Sequence, residues 1–401
     1  MRITNNQVFS QSLTGMLSLQ EAVQRYQTQL SSGKRLLTAA DDPVTAAQSV
    51  NLSAHLEALK QYDRNSNMVN LRLSEQDTAV GNTQNALQRV RERILQAKNG
   101  SLSTPDRRAI AAEVGQRMNE VLNLANQKNS SDEYVFAGTA VTAQPFTANA
   151  AGTVLYNGNQ NVRALEIADG RVMGDGFSGA EVFMAQRNGN GTFVTNFNVA
   201  NTGTGRLINA SVTNIAAVAP ASFQINFTSP TTYDVVNVTS GATVLAAQPY
   251  SANAAINFNG ISVAVTGAPN AGDQFLIGPS QNQSIFATIS KAQQDMSVDA
   301  TSPKLTSDMA SNLDRALSDI DQAMSGLDSV RAQIGARQNA LDSQTNTNAD
   351  LTVQIQTIKA KFEDVDPVAA ISNLARQTQA LAAAQQAFVK VQGLSLFNFL
   401  R

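Results

Sequence analysis

Apolar residues near the N-terminus recur in steps of three and four: Met16, Leu19, Val23, Tyr26 and Leu30. That spacing lays one stripe along a helix of 3.6 residues per turn and predicts an amphipathic helix, closed by Gly33. A second stripe starts after Asp42. It runs through Tyr62, Ser66, Val69, Leu73, Gln76, Val80, Thr83, Leu87, Val90, Ile94 and Ala97, and Asn99-Gly100 ends it. Thr104-Pro105 predicts a restart, with Thr104 as N-cap and Pro105 at the first helical position, continued by Ile110, Val114, Val121 and Leu124. Between Tyr134 and about Pro279 the period changes to two. Phe223, Ile225 and Phe227 alternate with polar residues, and Asn259-Gly260 separates two alternating runs, a strong hairpin signal. Asp169-Gly170 and Ser240-Gly241 are weaker marks of the same kind. Together these predict a β domain with its own core.

Helical spacing returns near Ser284. The longest stripe runs from Met309 to Phe362, with polar positions at Arg337, Gln344 and Asn348. As one helix it would be roughly 80 Å long, and it can bury its stripe only along other long helices. Ile371, Leu374, Leu381, Phe388 and Val391 mark a last helix that ends in the apolar run LSLFNFL, residues 394–400. The expected fold is a mainly α long-helix bundle or coiled coil, formed by N- and C-terminal arms, with an inserted all-β domain. The expected division is 1–42 with 367–401 as a terminal helical polymerisation domain, 43–133 with 285–366 as a helical rod, and 134–284 as the outer β domain. The chain ends then meet at one tip.

The two terminal helices have no compact domain in which to bury their stripes. Leu13, Met16, Leu19, Val23, Tyr26 and Leu30, with Ile371, Leu374, Leu381, Phe388, Val391, Leu396 and Phe397, are therefore expected to pack on each other and on other subunits. An isolated helix of this length is marginal in water, so ordering is expected to accompany assembly.

Composition narrows the function. The 401 residues carry 29 Lys and Arg against 31 Asp and Glu, so no basic field exists to hold nucleic acid or an anionic membrane. Charged residues make up only 15% of the chain, which leaves an uncharged polar surface and weak self-repulsion between copies. Without Cys there is no disulfide or thiolate chemistry. His55, the single histidine, sits in a helical context and leaves histidine-based triads and zinc sites without their usual groups. MRITNNQVFSQSL has no apolar signal region, and no apolar run approaches the ~20 residues that span a bilayer. Neither a cleaved signal nor membrane insertion is expected.

Candidate chemistry is sparse. Asp41-Asp42 could be a catalytic pair, but the structural reading needs less. Asp42 as N-cap accepts backbone N–H groups at the positive end of a helix, and Pro43 fits the first helical position. Asp366-Pro367 repeats the arrangement, with Glu363 and Asp364 just ahead. Gly33-Lys34 fails as a phosphate loop, since Thr28 replaces the required glycine. Gly203-Thr204-Gly205 lacks a third glycine, and Arg89, Arg91 and Arg93 read as a solvated helix face. Tyr156, Tyr233 and Tyr250 could stack on sugars if the fold brought them together. No catalytic residue, metal or cofactor is indicated.

QLSSGKRLLTAADDPVTAAQSV, residues 29–50, resembles the N-terminal signature of the bacterial flagellin family. RAQIGARQNALDS, residues 331–343, the EDVDPVAAISNLARQ stretch and the Gln- and Ala-rich last helix are similar to its C-terminal arm. YVFAGTAVTAQPF (134–146), GDQFLIGPSQNQSIFATI (272–289) and the LSLFNFL ending resemble the branch at the hook–filament junction more than filament flagellin; Pro43 and Val44, in place of the small residues common after the paired aspartates in flagellins, favour the same branch. The resemblance implies a structural, non-enzymatic subunit of the bacterial flagellum. Its partners would be the neighbouring hook-associated protein, flagellin and copies of itself in a ring. It also implies unfolded export through the flagellar type III channel, with a chaperone on the C-terminal region. The alternative is a filament flagellin that self-polymerises.

Overall fold

A computed structural model describes residues 5–149, 152–218 and 220–399, with side chains described except at 5, 6, 8 and 391–399. Among the described residues six α-helices form: α1 (Asn5–Ser32), α2 (Pro43–Ala97), α3 (Thr104–Ala125), α4 (Ile285–Met296), α5 (Pro303–Glu363) and α6 (Pro367–Phe399). The chain folds as two compact units, residues 1–64 with 343–401 and residues 65–342.

In the 65–342 unit the α2 and α5 stripes meet in one core. Val69, Leu73, Val80, Leu87, Val90 and Ile94 are fully buried with Leu313, Ile320, Leu327 and Ile334. Polar rungs flank that core: Asn70–Gln338, Asp77–Arg331, Gln84–Asp328, Arg91–Asp321 and Lys98–Asp314. Asn70, Asp77, Gln84 and Arg91 of α2, with Lys98 just past its end, fall at every seventh residue, the repeat of a coiled coil, so the rungs fix an antiparallel register. Arg93 pairs with Glu113 of α3, at 2.9 Å. Arg91 and Arg93 thus serve helix pairing, although as exposed pairs they contribute little to stability.

Polar residues within the stripes have specific partners. Buried Gln76 donates to the carbonyls of Val135 and Phe177, and its own oxygen accepts from Phe177 N at 2.8 Å. These three bonds all go to the segment that leaves the helices. Arg337 lies 4.1 Å over the Phe177 ring and donates to Gly176 O. The sequence expectation for α3 is off by one residue. Ser103, not Thr104, is the N-cap, because its hydroxyl accepts from Asp106 N while Asp106 accepts from Ser103 N. This reciprocal capping box recruits Thr104 into the helix and moves Pro105 to its second position.

Among the described residues fourteen strands lie between α3 and α4. The early ones are β1 (Phe146–Ala148), β2 (Val154–Tyr156), β3 (Ala164–Ala168), β4 (Arg171–Gly174) and β5 (Gln186–Arg187). Then come β6 (Phe193–Phe197), β7 (Arg206–Val212), β8 (Phe223–Ser229), β9 (Thr232–Asn237) and β10 (Thr243–Pro249). The last are β11 (Ala255–Phe258), β12 (Ile261–Thr266), β13 (Gln274–Pro279) and β14 (Asn282–Gln283). The Asn259-Gly260 hairpin joins β11 to β12, with φ of 44° and 76° as a two-residue primed turn requires.

One core was expected for this segment, and there are two. Phe136, Phe146, Phe177 and Phe183 join the helical core, where Phe183 stacks on Phe286 of α4 at 5.9 Å. Only β6 to β13 enclose a separate core, from Phe193, Phe223, Ile225, Phe227, Val263 and Phe275. The early strands are short, two-stranded pairs that cannot bury a face alone, so their aromatics pack on the helices instead.

Candidate assembly site

The 1–64 with 343–401 unit is built differently. Its α1 and α6 lie antiparallel against each other, with Phe9 and Phe388 ring centroids 5.1 Å apart. Of the α1 stripe, Val23 is buried, Met16, Leu19, Tyr26 and Leu30 are half-buried, and Leu13 is exposed. Of the α6 stripe, Leu374, Leu381 and Phe388 are half-buried and Ile371 is 57% exposed. Val391, Leu396 and Phe397 lie outside the described side chains. One helix covers only one side of its partner, so Leu17, Val368 and Val389 also stand exposed. The α5 stripe, whose last buried member is Asn348, likewise opens to solvent at Leu351 and Ile358. Few charges interrupt this surface: α1 carries only Glu21 and Arg25, and α6 only Arg376 and Lys390.

Where the terminal helices meet α2 and α5, the two crossings of the chain are tied together. Gly33, with φ of 68°, turns the chain out of α1. Lys34 then faces Asp364 in an isolated antiparallel bridge. Arg35 N donates to Glu363 O at 2.6 Å, and Val365 N to Gly33 O at 3.0 Å. Arg35 also reaches Phe362 O at 2.8 Å, while buried Gln29 donates to Arg35 O at 2.7 Å.

Glu363 is the hub. Lys34 Nζ lies 3.0 Å from one of its oxygens, and Ser49 Oγ and Lys359 Nζ approach the other. Burial alone would raise its carboxyl. The Ser49 and Lys34 hydrogen bonds and the Lys359 charge outweigh burial and hold it below its ordinary value. Hydrogen bonds from Lys34 to Asp364 and Glu363 hold the ammonium above its ordinary value.

The paired aspartates have separate duties. Asp41 Oδ2 accepts from the amides of Thr38 and Leu37 and closes the turn before α2; the Thr38 amide does most to lower its carboxyl. Asp42 accepts from the Thr45 amide and hydroxyl, with Pro43 opening α2, and those bonds lower it too. On the returning limb Asp366 Oδ1 accepts from Val368 N and Ala369 N, with Pro367 opening α6. Both Asp-Pro steps therefore sit at helix starts on opposite limbs of one crossing. A cavity of about 320 Å3 beside them is lined by Tyr26, Gln29, Leu36, Ala370 and Asn373.

Sequence reasoning gave Ser49, Gln29 and Lys359 no role. The signal for Ser49 was the α2 stripe continued backward, since Ser49 lies seven residues before buried Leu56. The three tyrosines considered for sugar stacking do not share a surface. Tyr156 packs on the helical core and donates to Phe136 O, whereas Tyr233 and Tyr250 pack around Phe227 in the separate β core. His55 is an exposed residue of α2.

Residues 3–141 match the bacterial flagellin N-terminal helical region, and residues 317–400 the bacterial flagellin C-terminal helical region. Residues 196–279, which hold most of the separate β core, match the D2-like domain of flagellar hook-associated protein 1. Flagellar hook-associated protein 3 of Escherichia coli is 25% identical over 401 residues, 99% of each chain. That of Salmonella typhimurium is 30% identical over 183 residues, 46% of this chain and 57% of that protein. The crystal structure of Xanthomonas campestris FlgL superposes with a TM-score of 0.70 at 32% identity, covering 77% of this chain and 99% of that one.

Proposed function

The chain belongs to the flagellar hook-associated protein 3 (FlgL) family, and on that premise we propose that it is a structural subunit of the bacterial flagellum at the hook–filament junction. It joins its neighbours by bundling terminal helices. The observation that carries this reading is the open apolar side of the α1–α6 pair, with Leu13, Leu17, Val368 and Ile371 exposed and almost no charge between them. A surface of that kind is costly in water and is covered when helices of other subunits lie against it.

In this reading residues 1–42 with 367–401 polymerise, 43–133 with 285–366 carry the load, and 134–284 face outward. The neighbours along the axis are another hook-associated protein and flagellin, with copies of this chain beside it in a ring. The chain leaves the cytoplasm unfolded, through the flagellar export channel. A chaperone shields its C-terminal region, whose helix has only two charges to keep it soluble. Its role is not enzymatic: Asp41, Asp42, Asp366 and Glu363 serve as turn, cap and ion-pair groups.

A junction subunit is favoured over a self-polymerising filament flagellin by the match of residues 196–279 to a hook-associated protein domain and by end-to-end similarity to hook-associated protein 3. Deleting residues 1–30 or 375–401 is expected to leave the β6–β13 core folded and to abolish incorporation and filament growth. Normal motility with either truncation, or long filaments grown from the purified chain alone, would overturn the reading.

A further inference from the structure

Asparagine stands before glycine at 99–100, 157–158, 188–189, 190–191 and 259–260. Glycine has no Cβ to shield its backbone nitrogen. In such a step that nitrogen reaches the asparagine side-chain carbon and closes a cyclic imide. Closure needs an unbonded glycine N–H, room for the ring, and a side chain not held by another part of the fold.

The fold closes most of these steps. Gly189 N donates to Asp319 Oδ1 at 2.6 Å, and Asn188 Oδ1 accepts from Gln281 N. Gly191 N donates to Asn188 O, and Asn190 Oδ1 accepts from Thr192 N and Phe193 N. Asn157 Nδ2 donates to Thr147 Oγ1, and the Tyr156 hydroxyl and Ala137 O crowd Gly158. Gly260 O accepts from Thr213 N and Asn214 N, and a Cβ added at Gly260 would lie 2.2 Å from Asn214 O.

Asn99-Gly100 differs on each count. It lies in the exposed turn between α2 and α3. Gly100 N has no acceptor among the described residues, and beyond the chain neighbours no atom lies within 4 Å of a Cβ added there. The Asn99 side chain is held only by its own turn: Ser101 N and Ser101 Oγ donate to Asn99 Oδ1 at 3.1 and 3.0 Å. Two donors on one amide oxygen draw electrons from Cγ and stabilise the oxyanion that forms when a nucleophile adds there.

We propose that Asn99 is a self-modification site, where the chain converts its own side-chain amide to an acid through a cyclic imide with Gly100 N. Solvent hydroxide takes the Gly100 amide proton, and the nitrogen attacks Asn99 Cγ. The Cγ–Nδ2 bond breaks, and ammonia leaves with a proton from water, which restores the hydroxide. Water then opens either imide C–N bond. One opening leaves aspartate, and the other leaves isoaspartate, whose main chain runs through an extra methylene. Nothing in this sequence restores the amide, so the converted fraction grows with the age of the chain. The new carboxylate stands just past the C-terminal end of α2, where the helix carbonyls already concentrate negative charge, and next to Lys98, whose pair with Asp314 is the last rung to α5. The proposal is independent of the role at the junction, since it uses neither terminal helix.

The test incubates the full-length protein in heavy-oxygen water at mildly alkaline pH, digests it and follows every Asn-Gly step by mass spectrometry. Position 99 is expected to convert first, to take up heavy oxygen, and to give both aspartate and isoaspartate. Ser101→Ala is expected to slow the conversion about fivefold, the net worth of one hydrogen bond. Gly100→Ala, for which the turn has room, is expected to bring position 99 down to the rate of the other steps. In urea the steps are expected to converge. Earlier conversion at another step, aspartate without isoaspartate, or a rate unchanged by either substitution would overturn the proposal. An unchanged ranking in urea would also overturn it, because local sequence and not the folded turn would then set the rate.

Discussion

Lys34 Nζ lies 2.9 Å from Asp364 Oδ1, across 330 residues of sequence, and the same ammonium lies 3.0 Å from Glu363. The two limbs that enter and leave the terminal helices are thereby fastened side by side.

Glu363→Gln removes the charge that Lys34, Lys359 and Ser49 share. The Lys34 side chain is 46% exposed, so solvent screens that pair, and the expected cost is about 1 kcal/mol of local stability. It should appear as faster amide exchange at Arg35 and Val365, whose N–H groups join the limbs, with amides of the 65–342 unit unchanged. Equal loss of protection throughout the chain would count against a local fastening.

The pH dependence should carry opposite signs in the two units. Glu363 titrates lower in the folded chain, so its stabilisation is complete above the unfolded value and is lost as pH falls through the folded one. Burial raises Asp319 of α5 despite the Gly189 amide, so the folded chain binds its proton more tightly and neutral pH is the unfavourable side. The stability gap between wild type and Glu363→Gln should therefore close on acidification. Asp319→Asn should be better tolerated near neutrality than in acid. Denaturant unfolding of both variants across the carboxylate range checks the two slopes.

Burial separates folding residues from assembly residues. Leu327 is fully buried in the α2–α5 core, and Leu327→Ala should cost about 2–5 kcal/mol by leaving a cavity. Ile371 is 57% exposed, so Ile371→Ser should change monomer stability by less than about 0.5 kcal/mol yet impair motility and incorporation. Thermal unfolding paired with a swarming assay distinguishes the two. Normal swarming by Ile371→Ser would remove this residue from the assembly surface.

Periodicity made the helices legible, because a stripe such as Val69, Leu73, Val80, Leu87 needs only local spacing to declare which face is buried. The Asn259-Gly260 hairpin was legible for a similar reason: the turn itself selects those residues. Ser103 was missed as a cap because the reciprocal Asp106 bond outranks the more obvious Thr-Pro step. The division of the β segment between the helical core and a core of its own was not legible, since nothing local distinguishes Phe146, which packs on α4, from Phe223, which packs on β11. The fastening at Glu363 was half legible. Gly-Lys-Arg on one limb and Glu-Asp on the other are complementary charges, but only the fold brings Ser49 within reach across 314 residues.

The limbs joined at Lys34 and Glu363 differ in slack. Asp364, Val365 and Asp366 alone separate α5 from α6, whereas residues 33–42 separate α1 from α2 in a turn closed by Asp41 and by bonds to the returning limb. Because Gly33 O and Arg35 N, directly after α1, already bond Val365 and Glu363, the longer limb has its slack beyond the fastening, between Leu36 and Pro43. The fastening therefore sets the register of α1 against α6, while the loop that follows it spaces α2 from that point.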